Sequence, residues 1–280
     1  LSRMPVTKDF HVHERHSSDA RSATAEGYCR AAEEKGIDEL CFTTHLIISG
    51  PDVDVSVPPE QIGEYIDEIE AAQETTTVKL RIGLEVDYFP EEEKRLAKIL
   101  DDQSFDLILG SLHYIKGFDI GSKTESKAFF GGRSIRESLD IYYEDWMKAV
   151  ESGLFDVMAH PDYFRKYLGL TYPEPPTFKE YGPVVLEAID SLESYGVGVE
   201  VNSSGYRHGL GDCFPSHDFL RAVKRAGVET VTIGSDSHAY SYLGSWLDRA
   251  IERLREAGYT QVGTFRDRKP SKINLKQILK

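Results

Sequence analysis

Cysteine is scarce: Cys29, Cys41 and Cys213 are the only three in 280 residues, and no two share a paired spacing. An odd, scattered set excludes a disulfide framework and points to a reducing compartment, so a cytoplasmic protein is expected. No apolar run approaches the roughly 18 residues that a membrane span requires. The opening LSRMPVTKDF lacks the apolar core of a secretion signal. Basic residues are in deficit as well. The 33 Lys and Arg face 47 Asp and Glu, a formal charge of −14, which argues against a nucleic-acid partner held through its phosphates. Tyrosine and phenylalanine are plentiful, at 15 and 13, but they are not interleaved with basic residues as a single-strand-binding surface requires. Most of them are therefore expected in the core. Neither a nucleic-acid nor a membrane partner is expected, and oligomeric state leaves no trace in the sequence.

What remains is a regular alternation. Short β-rich runs at 9–13, 40–45, 79–88, 106–114, 156–160, 197–202 and 230–236 are separated by segments with helical period. Those segments fall at 25–35, 59–74, 91–100, 134–151, 177–195 and 216–226. A last helix follows, with Leu243, Leu247, Ala250, Ile251 and Leu254 on one face. Strands such as CFTTH, LILGSLH and VTIGSD are apolar nearly throughout, as strands covered on both faces are. Strand-then-helix units imply a parallel α/β sheet with right-handed crossovers. A closed barrel and an open doubly wound sheet both satisfy this pattern. No linker and no longer repeat interrupts it, so one domain over 1–280 is expected. The irregular stretches 46–58, 115–133 and 161–176 each follow a strand and are candidate binding loops.

The chemistry sits where the strands stop. The first ends on His11-Val12-His13, the second on Thr43-Thr44-His45 and the third on Gly83-Leu84-Glu85. The fourth ends on Ser111-Leu112-His113, the fifth on Met158-Ala159-His160 and the seventh on Asp236-Ser237-His238. In α/β barrels this is the face that carries catalysis. A lone strand-end histidine is more often a hydrogen-bonded core or surface residue than a ligand. The alternating pair His11 and His13 is stronger, because residues two apart project to the same side of a strand. Six histidines and several carboxylates at one rim are hard to satisfy by packing alone, whereas divalent metal ions satisfy many at once. Imidazole with carboxylate and no cysteine suits Zn, Mn or Fe over Mg or Ca. About nine ligands exceed what one or two ions take from a protein, so three ions sharing bridging carboxylates are expected.

In order along the chain, DFHVHERHSSDA, TTH, GLEVDY, GSLHY, AHPDY, EVNSSG and GSDSH resemble the motifs of the polymerase-and-histidinol-phosphatase (PHP) superfamily, and within it the histidinol-phosphate phosphatases. The resemblance runs from Asp9 to about Pro270. It implies a distorted, TIM-barrel-like (β/α)7 barrel, which decides between the two architectures. It also implies that His11, His13, Glu85 and Asp236 hold one metal, with Glu85 bridging to a second held by His113 and His160. A third would be held by Asp19, His45 and His238; Asp19 is favoured over nearby His16 because it occupies the family's motif position. Arg165 and Arg207 match arginines that contact the substrate phosphate in the resembling enzymes, which would answer the unfavourable net charge locally. The alternative for each is a surface arginine paired with a neighbouring acid.

The implied reaction is hydrolysis of L-histidinol phosphate to L-histidinol and phosphate, in histidine biosynthesis. Clustered cations suit it physically: a water bridging two ions supplies hydroxide near neutral pH, and the ions neutralise the phosphoryl oxygens. No protein nucleophile is then needed. The nearest alternative is a PHP phosphoesterase acting on nucleotides or short oligonucleotides. A metal-dependent amidohydrolase is disfavoured, since none of the seven strands ends on the lysine that class uses as a bridge. The complete ligand set weighs against a non-enzymatic metal-binding module attached to a polymerase.

Overall fold

Strand–helix alternation resolves, in a computed structural model that describes residues 5–280, into seven parallel strands. They are β1 Lys8–Val12, β2 Glu39–Leu46, β3 Lys79–Asp87, β4 Leu107–Ser111, β5 Val157–Met158, β6 Gly198–Asn202 and β7 Val231–Gly234. Each lies beside its predecessor in the sequence. β7 returns to β1 through a parallel bridge between Val12 and Ser237, where His13 N donates to Ser237 O at 2.8 Å. The sheet is thus nearly closed on itself, which is the distorted barrel expected from the motifs.

Helices α1 Ala25–Lys35, α2 Ile62–Gln73 and α3 Glu93–Asp101 follow the first three strands. Next come α4 Lys123–Phe130, α5 Ile135–Glu151 and α6 Phe178–Tyr195, then the short α7 Ser204–Arg207, α8 His217–Arg225 and α9 Leu247–Glu256. Their ends are written locally. Thr24 Oγ1 accepts from Gly27 N at the start of α1, and Gly36 closes it in the left-handed conformation (φ 72°). Ser134 and Glu137 form a capping box on α5. Leu243, expected on the last helix, lies before it: the helix begins only at Leu247, and Leu243 packs against the main core from a turn.

Two regions depart from the sequence reading. The stretch 115–133, read as irregular, contains part of a small ribbon (Tyr114–Ile115 against Phe118–Asp119) and helix α4. That helix is only eight residues long; the Ser122 cap starts it, and burial of Phe129 and Phe130 holds it in place. The C-terminal segment forms a hairpin, β8 Gln261–Arg266 and β9 Lys269–Asn274, turned by Asp267 and Arg268 at φ 50° and 60°. Its turn lacks the Asn-Gly or Asp-Gly signal that marks such hairpins.

The hairpin has a definite task. Phe265 joins Phe10, Cys41, Leu107, Leu109, Val157 and Ala159 in a buried cluster inside the barrel. Arg268 binds Asp156 and the Leu154 carbonyl, and its N–H donates to Asp106 O, all just ahead of β4 and β5. The hairpin therefore plugs the N-terminal mouth and leaves the other mouth free for chemistry. No helix among the described residues is long and apolar enough to cross a membrane.

Candidate metal centre

At the open mouth the strand ends converge on one carboxylate. Glu85, on β3, is almost fully buried. Its Oε2 lies 3.1 Å from His11 Nε2, 3.2 Å from His13 Nε2 and 3.1 Å from His45 Nδ1. Its Oε1 lies 2.6 Å from His160 Nε2 and 3.6 Å from His113 Nε2. Asp236 Oδ1 closes the group on one side, 3.4 Å from His13 Nε2 and 3.6 Å from His238 Nδ1. Asp19 Oδ2 closes it on another, 3.1 Å from His238 Nε2 and 3.6 Å from His45 Nε2. All nine residues expected at the rim form one contiguous group.

The arrangement fits metal ions better than it fits bare side chains. His11 Nε2 and His13 Nε2 stand 3.0 Å apart, and His45 Nε2 and His238 Nε2 3.5 Å apart. Such pairs place two ring nitrogens face to face, where a shared proton or a cation must sit between the lone pairs. His13 Nδ1 is buried without a hydrogen bond. Three triads have ligand atoms within 4.8 Å of one another: His11, His13 and Asp236; His13, His45 and His238; His45, Glu85 and His113. A fourth grouping, Glu14, His16 and Glu68, is already satisfied. Glu14 accepts from His16 and Thr44, and Glu68 pairs with Arg15 at 2.6 Å. His16 is thereby set apart from the central group, while Asp19 is in it.

Electrostatics express the same crowding. Burial works against the Glu85 carboxylate, yet the imidazoles of His11 and His45 hold it well below the usual carboxylate range. Asp236, also opposed by burial, is held down by His11 and His13. Burial would strip the proton from His11, but Glu200 and Glu85 overcome it and raise the group. His13 goes the other way, to about 4, through burial and then the neighbouring His238 and His45. So many imidazoles cannot all be charged at this spacing.

A second layer orients the first. Glu200 Oε1 accepts from His11 Nδ1 at 2.6 Å, and its Oε2 accepts from His160 N at 3.1 Å. Asp87 Oδ2 does the same for His113 Nδ1 at 3.0 Å, and Ser111 Oγ donates to Glu85 at 2.6 Å. Each such bond turns the opposite ring nitrogen toward the centre. The backbone is bent to suit: His160 and Asp236 have φ of 25° and 55°, a region that residues with a Cβ enter at a cost and that recurs at functional sites. Gly234, on β7, has no room for a side chain, since a Cβ there would overlap Glu200 Oε1 and His11 Cβ.

A cavity of about 520 Å³ opens above the cluster, and Lys166, Arg207, His208 and Tyr163 contribute to its wall. Arg207 is oriented by the Asp236 carbonyl, to which Nη2 donates at 2.8 Å, and lies over the Tyr242 ring. Arg165 is placed differently from expectation. Its Nη1 donates to Asp162 Oδ2 at 3.1 Å and to the Cys213 carbonyl at 2.9 Å, and it lines a neighbouring cavity instead. The reason is Asp162: this fully buried carboxylate lies within the same turn and captures the guanidinium.

The sequence reading did not assign Glu200, Asp87 or Lys166. A signal existed for two of them. Asp87 stands two residues after Glu85, and Glu200 two before Asn202, the spacing that drew His11 and His13 together. Nothing in the sequence separates Lys166 from Arg165.

Known proteins resemble this chain in sequence and in fold. A family model for the PHP domain matches residues 9–204. A probable histidinol-phosphatase of Deinococcus radiodurans is 33% identical over 93% of this chain and 97% of its own. The histidinol-phosphatase of Lactococcus lactis is 26% identical over 96% and 98%. Among solved structures, the histidinol phosphate phosphatase of Lactococcus lactis, complexed with zinc, L-histidinol and phosphate, superposes with a TM-score of 0.79. The two structures share 23% identity over 95% of this chain and 98% of that one.

Proposed function

The chain belongs to the PHP domain family, and from that premise we propose that it is a metal-dependent phosphomonoesterase that hydrolyses L-histidinol phosphate to L-histidinol and phosphate. The observation that carries the proposal is Glu85, a buried carboxylate with five imidazoles within 3.6 Å. Relatives named for this reaction support the choice of substrate.

Three divalent ions, drawn from Zn, Mn or Fe, would be held by the nine residues. His11, His13, Glu85 and Asp236 would hold one, with Glu85 bridging to a second at His113 and His160. Asp19, His45 and His238 would hold the third. When bound, the ions supply a hydroxide source near neutral pH and neutralise phosphate charge. The protein's own groups do the rest. Glu200 and Asp87 fix the tautomers of His11 and His113, so that both present Nε2 to the centre. Arg207, anchored on the Asp236 carbonyl, places a permanent cation at the cavity wall where a phosphate oxygen would sit. With no serine, cysteine or aspartate needed as nucleophile, water adds to phosphorus, the bond to the alcohol oxygen breaks, and that oxygen takes up a proton.

Phosphate release from L-histidinol phosphate, measured beside nucleotides, sugar phosphates and short oligonucleotides with Mn, Zn or Fe supplied, tests this directly. A kcat/KM at least about 100-fold above the rest is expected, a margin of roughly 3 kcal/mol in transition-state binding. A preference for nucleotides would transfer the same chemistry to the other PHP substrates.

A further inference from the structure

We propose that Lys166, not Arg165, is the cation that the loop after β5 presents to the substrate phosphate; this rests on the phosphomonoesterase reading above. The two neighbours have exchanged the roles that their chemistry would suggest. Arg165 is spent on Asp162, the Cys213 carbonyl and, at 3.8 Å, Asp212, and its guanidinium lies over the Phe214 ring. A guanidinium held by two acids and a carbonyl has little left to offer an anion.

Lys166 is in the opposite condition. Its Nζ donates to the Tyr163 hydroxyl at 2.8 Å and has no carboxylate within ion-pair distance among the described residues. The ammonium lies over two rings, 5.0 Å from the centre of Tyr163 and 5.1 Å from that of Tyr167. Those aromatics fix its position without neutralising it. It shares the cavity wall with Arg207, alongside Glu85, His113 and Asp236 of the metal cluster. Its desolvation lowers its proton affinity, and the more distant carboxylates Asp236 and Asp119 offset that only in part. A phosphate in the cavity would supply a close anion. The neighbouring His208 is held near 4 by burial and by Lys166, so it adds no competing charge at neutral pH. Lys166 and Arg207 together would give a doubly charged phosphate two cationic contacts, a local answer to a net charge of −14.

The test compares Lys166→Met, Lys166→Arg and Arg165→Met in the metal-loaded enzyme, reading kcat/KM for L-histidinol phosphate, the inhibition constant of inorganic phosphate, and metal content. Lys166→Met is expected to weaken inorganic phosphate by about 10- to 100-fold, the range for a lost hydrogen bond to a charged group, at unchanged metal content. Lys166→Arg should recover most of that loss. Arg165→Met should leave phosphate inhibition within about threefold and act on thermal stability instead, since it breaks a buried ion pair. Unchanged phosphate inhibition in a folded, metal-replete Lys166→Met protein would overturn the assignment, as would a tenfold weakening in Arg165→Met alone. If the wild type ignores L-histidinol phosphate while Lys166→Met still loses phosphate affinity, the substrate reading fails and the assignment stands.

Discussion

Single residues at this rim act through the shape they give their neighbours. Glu200 is the clearest case, because one carboxylate serves two expected ligands: its Oε1 takes the proton of His11 Nδ1 and its Oε2 takes the His160 N–H. Asn202 Nδ2 also donates to Oε2 and lies 3.4 Å from Asp236. Glu200→Gln keeps the size and removes the charge. Metal affinity is expected to fall by about 10- to 100-fold, read as metal retained during titration with a competing chelator, while the far-UV spectrum stays unchanged. Retention equal to that of the wild type would reduce Glu200 to a packing residue. The sequence carried Glu200 inside the motif EVNSSG but gave no reason to distinguish it from a ligand or a surface acid. Only its distance to His11 Nδ1 does that.

Elements divide the labour between the two mouths of the barrel. The strand ends carry the chemistry, and the C-terminal hairpin β8–β9 carries Phe265 into the interior from below. Phe265 is 3% exposed, so truncation leaves a cavity the barrel cannot collapse. Phe265→Ala should cost about 3–5 kcal/mol, measured by denaturant unfolding, while metal content and KM hold in the surviving folded fraction. A loss of metal in step with stability would mean that the two mouths are coupled. The strands were legible in the sequence because apolar runs closed by a polar residue have few other solutions in a parallel sheet. The hairpin was not. Its strands alternate weakly, with Lys269, Pro270, Ser271 and Lys272 all exposed, and its place depends on a barrel that must form first. Helix α4 was missed for a related reason: eight residues are too few to show a period, and burial of Phe129 and Phe130 supplies what helix propensity does not.

For the whole molecule, a metal centre at this rim would be a cross-link as well as a reaction site. Its residues come from the ends of β1, β2, β3, β4, β5 and β7 and from the loop after β1, so bound ions would tie most of the barrel together. Without them, buried imidazoles and carboxylates face one another with nitrogens as close as 3.0 Å. Anything that binds only the folded state stabilises it by mass action, about 4 kcal/mol at a free concentration 1,000 times Kd. Chelation is therefore expected to lower Tm by several degrees, and readdition of Zn or Mn to restore it. An identical Tm with and without chelator, in protein shown by elemental analysis to differ in metal, would remove this structural role.

The sequence by itself determined the alternation, the strand ends and eight of the nine rim residues, which rest on local rules: period, apolar runs, and side chains two apart on one face of a strand. The ninth, Asp19, in the loop after β1, was implied only by the resemblance to the PHP motifs. Tertiary structure alone decided which of two adjacent cations faces the cavity, since Asp162 and the Cys213 carbonyl, brought together only on folding, claim Arg165, whereas Lys166 donates only to the Tyr163 hydroxyl. It also decided which acids are ligands and which orient ligands. Glu85 and Glu200 are the same residue type, each at or near a strand end; Glu85 lies 3.1 Å from the inward nitrogen of His11, Glu200 2.6 Å from the outward one. That distinction depends on distances between strands far apart in the chain, and no local pattern encodes it.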